Sequence, residues 1–136
     1  MDEADARARV AAARVAHLAT VDRHGRPRVV PCCFALHGDT AYSAVDAKPK
    51  STLELARLDA IRAHPEVALL VDHYDDRDWS RLWWVRVDAR AGILPSDDPE
   101  RDVGLDLLAA KYEQYRKTRP PGAVIKIEVV ALRSWP

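Results

Sequence analysis

The sequence predicts a mainly β protein in which about six mostly antiparallel strands close toward a barrel, with three flanking helices over its gaps. Three observations carry that prediction. Apolar and polar residues alternate over Leu82–Leu94, glycine-containing turns fall at short intervals in the first third of the chain, and two segments carry helix-start signals. At 136 residues, 48% of them hydrophobic, the chain suits one globular domain spanning 1–136, without a repeat or a linker.

Residues 3–16 are rich in alanine and arginine, with Glu3 and Asp5 early and Arg14 late. High propensity and charges that complement the macrodipole predict an N-terminal helix over 3–16. His17–Val21 reads as a short strand, and Asp22-Arg23-His24-Gly25-Arg26 as a turn. In the next strand, Arg28–Leu36, the side chains of Arg28, Val30, Cys32 and Phe34 share a face. Pro31 inside it cannot donate to a ladder, so the strand must lie at an edge or turn its N–H side to something other than a strand. His37-Gly38-Asp39 turns into a third strand, Thr40–Val45, and the three strands are expected to form an antiparallel meander. Ser51-Thr52-Leu53-Glu54 matches a capping box, followed by the stripe Leu55, Leu58, Ile61 and an end at His64-Pro65. Val67–Val71 is continuously apolar, as for a strand covered on both faces. After a polar loop, Asp72–Arg81, the long strand Leu82–Leu94 sets Trp83, Val85, Val87, Ala89, Ala91 and Ile93 on one side. Trp84, Arg86, Asp88 and Arg90 take the other. Asp98 caps and Pro99 opens a helix that fades near Tyr115, and Val124–Leu132 is the last strand.

Composition excludes several functions. Basic and acidic residues balance at 21 each, so the basic surplus of a nucleic-acid binder is missing. No apolar run approaches the roughly 20 residues of a membrane span. The acidic start Met1-Asp2-Glu3 is unlike a signal peptide, so a cytoplasmic location is expected. Cys32 and Cys33 are adjacent, which disfavours a disulfide and leaves too few ligands for zinc, so no metal site is expected. Nucleophile-elbow, P-loop and dinucleotide-fingerprint motifs are all missing. His24, His37 and His64 read as surface histidines and His17 as core or rim. His73, beside Tyr74 at the start of the polar loop, is the histidine to weigh as a substrate contact.

Two segments stand out. Tyr42–Thr52 ends a strand and sets Lys48 and Lys50 about the capped start of a helix, with Ser51 and Thr52 adding hydroxyls. That is either an anion site or a solvated basic loop. Trp79-Ser80-Arg81-Leu82-Trp83-Trp84 brings three tryptophans within six residues. Trp83 and Trp84 point to opposite faces, so either one covers an interface or planar ligand, or one fills the barrel and the other packs under a helix.

These segments carry a resemblance. Leu18-Ala19-Thr20-Val21, Gly25-Arg26-Pro27, Val29-Val30-Pro31 and Phe34 resemble the opening hairpin of the pyridoxamine 5'-phosphate oxidase-like, FMN-binding split β-barrel superfamily. Tyr42-Ser43-Ala44-Val45-Asp46-Ala47-Lys48-Pro49-Lys50, Leu70-Val71-Asp72-His73-Tyr74 and the tryptophan segment resemble its small F420-dependent branch. The resemblance runs from about Val15 to Trp135. It implies a homodimer holding the deazaflavin coenzyme F420 between subunits, and hydride transfer to a small unsaturated or quinone-like substrate. Carried over to this chain, it lays Val29, Val30 and Pro31 along the tricyclic ring, Tyr42 and Ser43 beside the ring or ribityl chain, and Lys48, Lys50, Ser51 and Thr52 on the phosphate. Trp79 and Trp83 would close the site from the other subunit, with His73 or Tyr74 as candidate proton donors. The true oxidases differ: a lysine of their second strand has no counterpart in Arg28-Val29-Val30-Pro31-Cys32-Cys33, and their basic C-terminal segment is lacking at Trp135-Pro136. Vitamin B6 oxidation is therefore disfavoured. An FMN-binding oxidoreductase, or a non-catalytic protein binding F420 or a tetrapyrrole, are the alternative expectations.

Overall fold

The computed structural model describes residues 1–45 and 52–136, the side chains of 52–55 excepted. The predicted capping box at Ser51–Glu54 depends on Ser51 and on the Glu54 side chain, both of which lie outside the described residues. The N-terminal helix α1 (Glu3–Ala12) is shorter than expected. Asp2 caps it, its carboxylate accepting the Asp5 N–H at 2.8 Å. Ala13 is extended, which lets the chain leave the helix and carry Arg14 toward Tyr112. Strands β1 (Ala16–Val21) and β2 (Pro27–Cys32) form a hairpin whose turn sets Gly25 at φ 79°, a left-handed conformation that glycine adopts without penalty. Asp22 fastens that turn by accepting the N–H groups of His24 and Arg26, both at 2.9 Å.

The run 28–36 is not one strand of a meander. It divides into β2 and β3 (Ala35–His37), with Cys33 and Phe34 between them. β3 pairs with β4 (Thr40–Ala44) around Gly38, at φ 61°, while β2 pairs with β1. The remaining strands are β5 (Glu66–His73), β6 (Trp83–Leu94) and β7 (Val124–Trp135). The described residues thus form one antiparallel sheet of seven strands in the order β2-β1-β5-β6-β7-β4-β3. β2 and β3 stand at opposite ends of that order although only two residues separate them. The sheet must therefore curl until its two edges meet at one short segment, which makes a split barrel. The mainly β, antiparallel class stands. The strand count rises from six to seven because a single apolar run changes edges midway.

Helices cover the openings: α2 (Thr52–Ala63), α3 (Pro99–Lys111) and the short α4 (Glu113–Lys117). Asp98 and Pro99 open α3 as expected, with the Asp98 carboxylate accepting the Glu100 N–H at 2.9 Å. The predicted single helix to Tyr115 breaks at Tyr112, whose backbone is extended at φ −118° and ψ 121°. The barrel interior holds Phe34, Leu18, Leu69, Val85, Ile125 and Ile127, all fully buried. A second cluster under α3 contains Tyr42, Leu94, Leu105 and Leu108. Gly104 is required there, because a Cβ would stand 2.8 Å from the Tyr42 ring. β6 alternates as read from sequence, with Val85, Val87, Ala89 and Ala91 inside and Arg86 and Arg90 outside. β5 departs from expectation: Val67, Leu69 and Val71 are buried, but Leu70 on the other face is 37% exposed. A single chain covers only one face of that apolar strand.

The change of edge leaves Cys33 and Phe34 outside either ladder, and buried backbone groups without partners are costly. Three side chains supply the partners. Tyr112 Oη accepts the Phe34 N–H at 3.1 Å and lies 3.0 Å and 2.8 Å from the carbonyl oxygens of Phe34 and Arg14. Lys111 Nζ donates to the Phe34 carbonyl at 2.9 Å and stands 4.0 Å from the Phe34 ring centre. Ser43 Oγ donates to the Cys33 carbonyl at 2.8 Å. Tyr112→Phe keeps the ring and removes these bonds, so it should lower the unfolding free energy by about 1–3 kcal/mol. A urea melt that superimposes on wild type contradicts this. Burial, and next the Arg14 charge, push the Lys111 pKa down to about 8 from its ordinary 10.5. The unfolded chain then binds more protons between pH 8 and 10.5, so wild-type stability relative to Lys111→Met should rise with pH across that window. A constant difference from pH 7 to 10.5 argues against the shift.

Candidate functional site

The edge change also makes a pocket. Pro31, Cys32 and Cys33 form one wall, Ser43 and Ala44 of β4 another, and Arg57 of α2 closes it, leaving a cavity of about 190 Å³. Pro31, on β2, stands opposite His17 of β1, and β2 has a strand neighbour on one side only, the edge position that the missing N–H of Pro31 requires. Ser43 is 1% exposed, and its hydroxyl ties the β4 side of the pocket to the Cys33 carbonyl. Burial pushes the Cys32 thiol up to about 11, so this sulfur stays protonated at neutral pH and is a poor nucleophile.

A second cavity, of about 260 Å³, adjoins the same helix. Thr20, Asp22, Arg23, His24, Arg28 and Val30 line it with Ala56, Asp59 and, again, Arg57. Two of its three guanidinium groups are paired: Arg23 with Asp59 at 2.6 Å, and Arg28 with Asp22 at 3.4 Å. The Arg26 amide, foremost, holds the Asp22 carboxyl below the usual carboxylate range, so it is ionised at neutral pH. Arg57 is different. Its Nε is buried and has no hydrogen-bond partner. Arg57 was not singled out from sequence, where it reads as an ordinary polar residue beside the stripe Leu58 and Ile61. Only the packing of α2 against the barrel turns it inward.

The residues expected at the site divide between three places. Pro31 and Ser43 line the smaller pocket, Val30 the second, and Val29 projects from β2 with 64% exposure. Lys48, Lys50 and Ser51 lie outside the described residues, as does the side chain of Thr52. Tyr42, expected beside a ring, is instead a core residue. It is 6% exposed, packs against Gly104, and its hydroxyl donates to Glu100 at 2.8 Å.

Trp83, His73 and Tyr74 gather on the opposite part of the sheet. With Leu70, Leu82, Trp84, Arg86 and Trp135 they line a cavity of about 580 Å³ that shares no residue with the other two. It is the largest cavity of the three, yet it is apolar and open. The Trp83 ring stacks with His73 and carries the Arg9 guanidinium 4.6 Å from its centre. Tyr74 donates to Asp76 at 2.9 Å, and Trp79, on a 3-10 turn (Trp79–Arg81), is 68% exposed. Both Trp83 and Trp84 thus face the same opening, although only Trp83 also packs against the barrel core. Among the described residues, no helix is long and apolar enough to cross a membrane.

Comparison with known proteins agrees with this architecture. A conserved hypothetical protein of Mycobacterium tuberculosis superposes with a TM-score of 0.78 at 20% identity, over 99% of this chain and 84% of that one. An FAD-binding protein of Mesorhizobium loti gives 0.71 at 23% identity, over 98% and 94%. The heme storage protein HutZ of Vibrio cholerae gives 0.72 at 14% identity, over 96% and 92%. At these identities the likeness is one of fold. No curated protein matches in sequence. The family model described as pyridoxamine 5'-phosphate oxidase matches residues 2–136, essentially the whole chain, and the protein belongs to that family.

Proposed function

We propose that the protein is an F420-dependent oxidoreductase that works as a homodimer and transfers hydride between the deazaflavin and a small unsaturated or quinone-like substrate. The observation that carries the reading is the pocket of Pro31, Cys33 and Ser43 at the end of β4, from which the sequence continues into the basic turn Lys48-Pro49-Lys50. The residues fit a planar ring bearing an anionic chain. A proline at a sheet edge offers a flat apolar surface without a competing N–H, and Val29, on the same face of β2, extends it. The orphaned donor on Arg57 adds a positive group at the far wall. Lys48, Lys50, Ser51 and Thr52 would hold the phosphate.

When bound, the coenzyme supplies the two-electron hydride chemistry. The chain's part is to bind and orient it and to exclude water. The open apolar face of β5, β6 and the end of β7, with Leu70 at 37% and Trp135 at 49% exposure, supports burial against a second copy. Trp79 and Trp83 do not line their own chain's Pro31–Ser43 pocket, which agrees with their closing a partner's. His73 and Tyr74 share that face and remain the candidates for a proton donor. FMN is the second reading, favoured by the likeness to an FAD-binding protein, and a protein that purifies yellow would speak for it. The likeness to a heme storage protein keeps a non-catalytic role, binding F420 or a tetrapyrrole, as the third.

Titration of F420 and FMN against tryptophan fluorescence tests the assignment. F420 should bind more tightly than FMN. Lys50→Ala should weaken F420 at least tenfold, about 1.4 kcal/mol, while unfolding free energy changes by less than about 0.5 kcal/mol. Preference for FMN moves the chemistry to flavin, and an unchanged Kd in Lys50→Ala refutes the phosphate assignment.

A further inference from the structure

Of the arginines that line the two smaller cavities, Arg57 alone lines both, and its Nε is buried with no partner. The described carboxylates that line the second cavity are already engaged: Asp59 holds Arg23 and Asp22 holds Arg28. Among the described side chains that line the second cavity, three guanidinium groups, Arg23, Arg28 and Arg57, stand against two carboxylates, Asp22 and Asp59. An orphaned guanidinium donor is a standing cost to the folded state, and an anionic oxygen is the partner that best removes it. Its planar fork suits phosphoryl or carboxylate oxygens better than a lysine would.

We propose that Arg57 is an anion-binding residue that joins the two cavities into one groove, taking a phosphoryl or carboxylate oxygen of a ligand whose ring lies in the Pro31–Ser43 pocket. The groove then selects ligands in which a ring and an anionic group are joined by a chain long enough to pass along α2. Ring systems without the anion lose the Arg57 contact. This deepens the F420 reading by naming a residue outside the basic turn that recognises the coenzyme's anionic part, and it rests on that reading only for the identity of the ring.

The variants are Arg57→Met, which keeps the stem and removes charge and donors, and Arg57→Lys, which keeps the charge without the fork. The probes are F420, the deazaflavin riboside lacking its phosphate, FMN, and inorganic phosphate, followed by tryptophan quenching and thermal melting. In Arg57→Met, F420 affinity should fall at least tenfold while the phosphate-free riboside binds as to wild type. The ligand-free Tm should not fall, since an unsatisfied buried donor has been removed. Arg57→Lys should lose at least threefold toward F420, and it decides the matter if Arg57→Met does not fold. Unchanged F420 affinity, or equal weakening of F420 and the riboside, overturns the assignment of Arg57 while the coenzyme reading stands. If wild type binds neither F420 nor FMN, the coenzyme reading falls and inorganic phosphate decides: a rise in Tm in wild type that Arg57→Met lacks upholds the anion site, and no difference overturns it too.

Discussion

Two residues, Cys33 and Phe34, close the barrel. They carry the chain from one edge of the sheet to the other, and everything near the candidate site follows from how their backbone groups are satisfied. A continuous strand would satisfy them by ladder bonds. Here the ladders stop on either side, and the hydroxyls of Tyr112 and Ser43 and the ammonium of Lys111 take over. Tyr112 reaches Phe34 from 78 residues away in sequence, and the break between α3 and α4 falls at that tyrosine. Helix continuity is interrupted at the residue whose side chain holds the crossover.

The same crossover makes a cavity where a closed ladder would leave none. Because the edges meet at a short segment and are not hydrogen-bonded to one another, Pro31 and Ser43 come to face a common space, and α2 packs across it with Arg57 pointing inward. The cavity is thus a by-product of incomplete closure. The opposite face differs in kind: it is broad, aromatic and open, and the β7 register shift opposite Asp88 and Ala89 leaves Val130 projecting at 74% exposure on the strand that borders it. A bulge of this type increases local twist and bends the strand pair, which helps the sheet to coil. One molecule therefore offers two small cavities beside α2 and, apart from them, a wide apolar surface.

Much of this was legible in the residues. Gly25 and Gly38 mark the two hairpins, the Asp98-Pro99 pair marks the start of α3, and the alternation of β6 gives its faces. Pro31 was rightly read as demanding an edge. The division of the 28–36 run was not legible, because both halves have strand character and nothing local says that they pair with different neighbours. Tyr112 and Lys111 were missed for a related reason: their partners are backbone atoms far away in sequence, so no spacing reveals them. The core position of Tyr42 was not legible, since its neighbourhood depends on Gly104 of α3, a contact that only the packed structure displays. Arg57 was hidden by its chemistry, because an arginine on a helix is usually a solvated one. The lysine turn, where the resemblance is most specific, lies outside the described residues.

The central claim is that the crossover and the N-terminal half of α2 form the wall against which a ring-bearing anionic ligand lies. Amide hydrogen exchange of the purified protein, with and without saturating F420, tests it most directly. The account predicts that F420 slows exchange at the amides of residues 29–34, 43–45 and 52–58, with further protection around Trp79 and Trp83. Protection confined to the tryptophan face, with 29–34 and 52–58 unchanged, would place the ligand elsewhere and contradict the account.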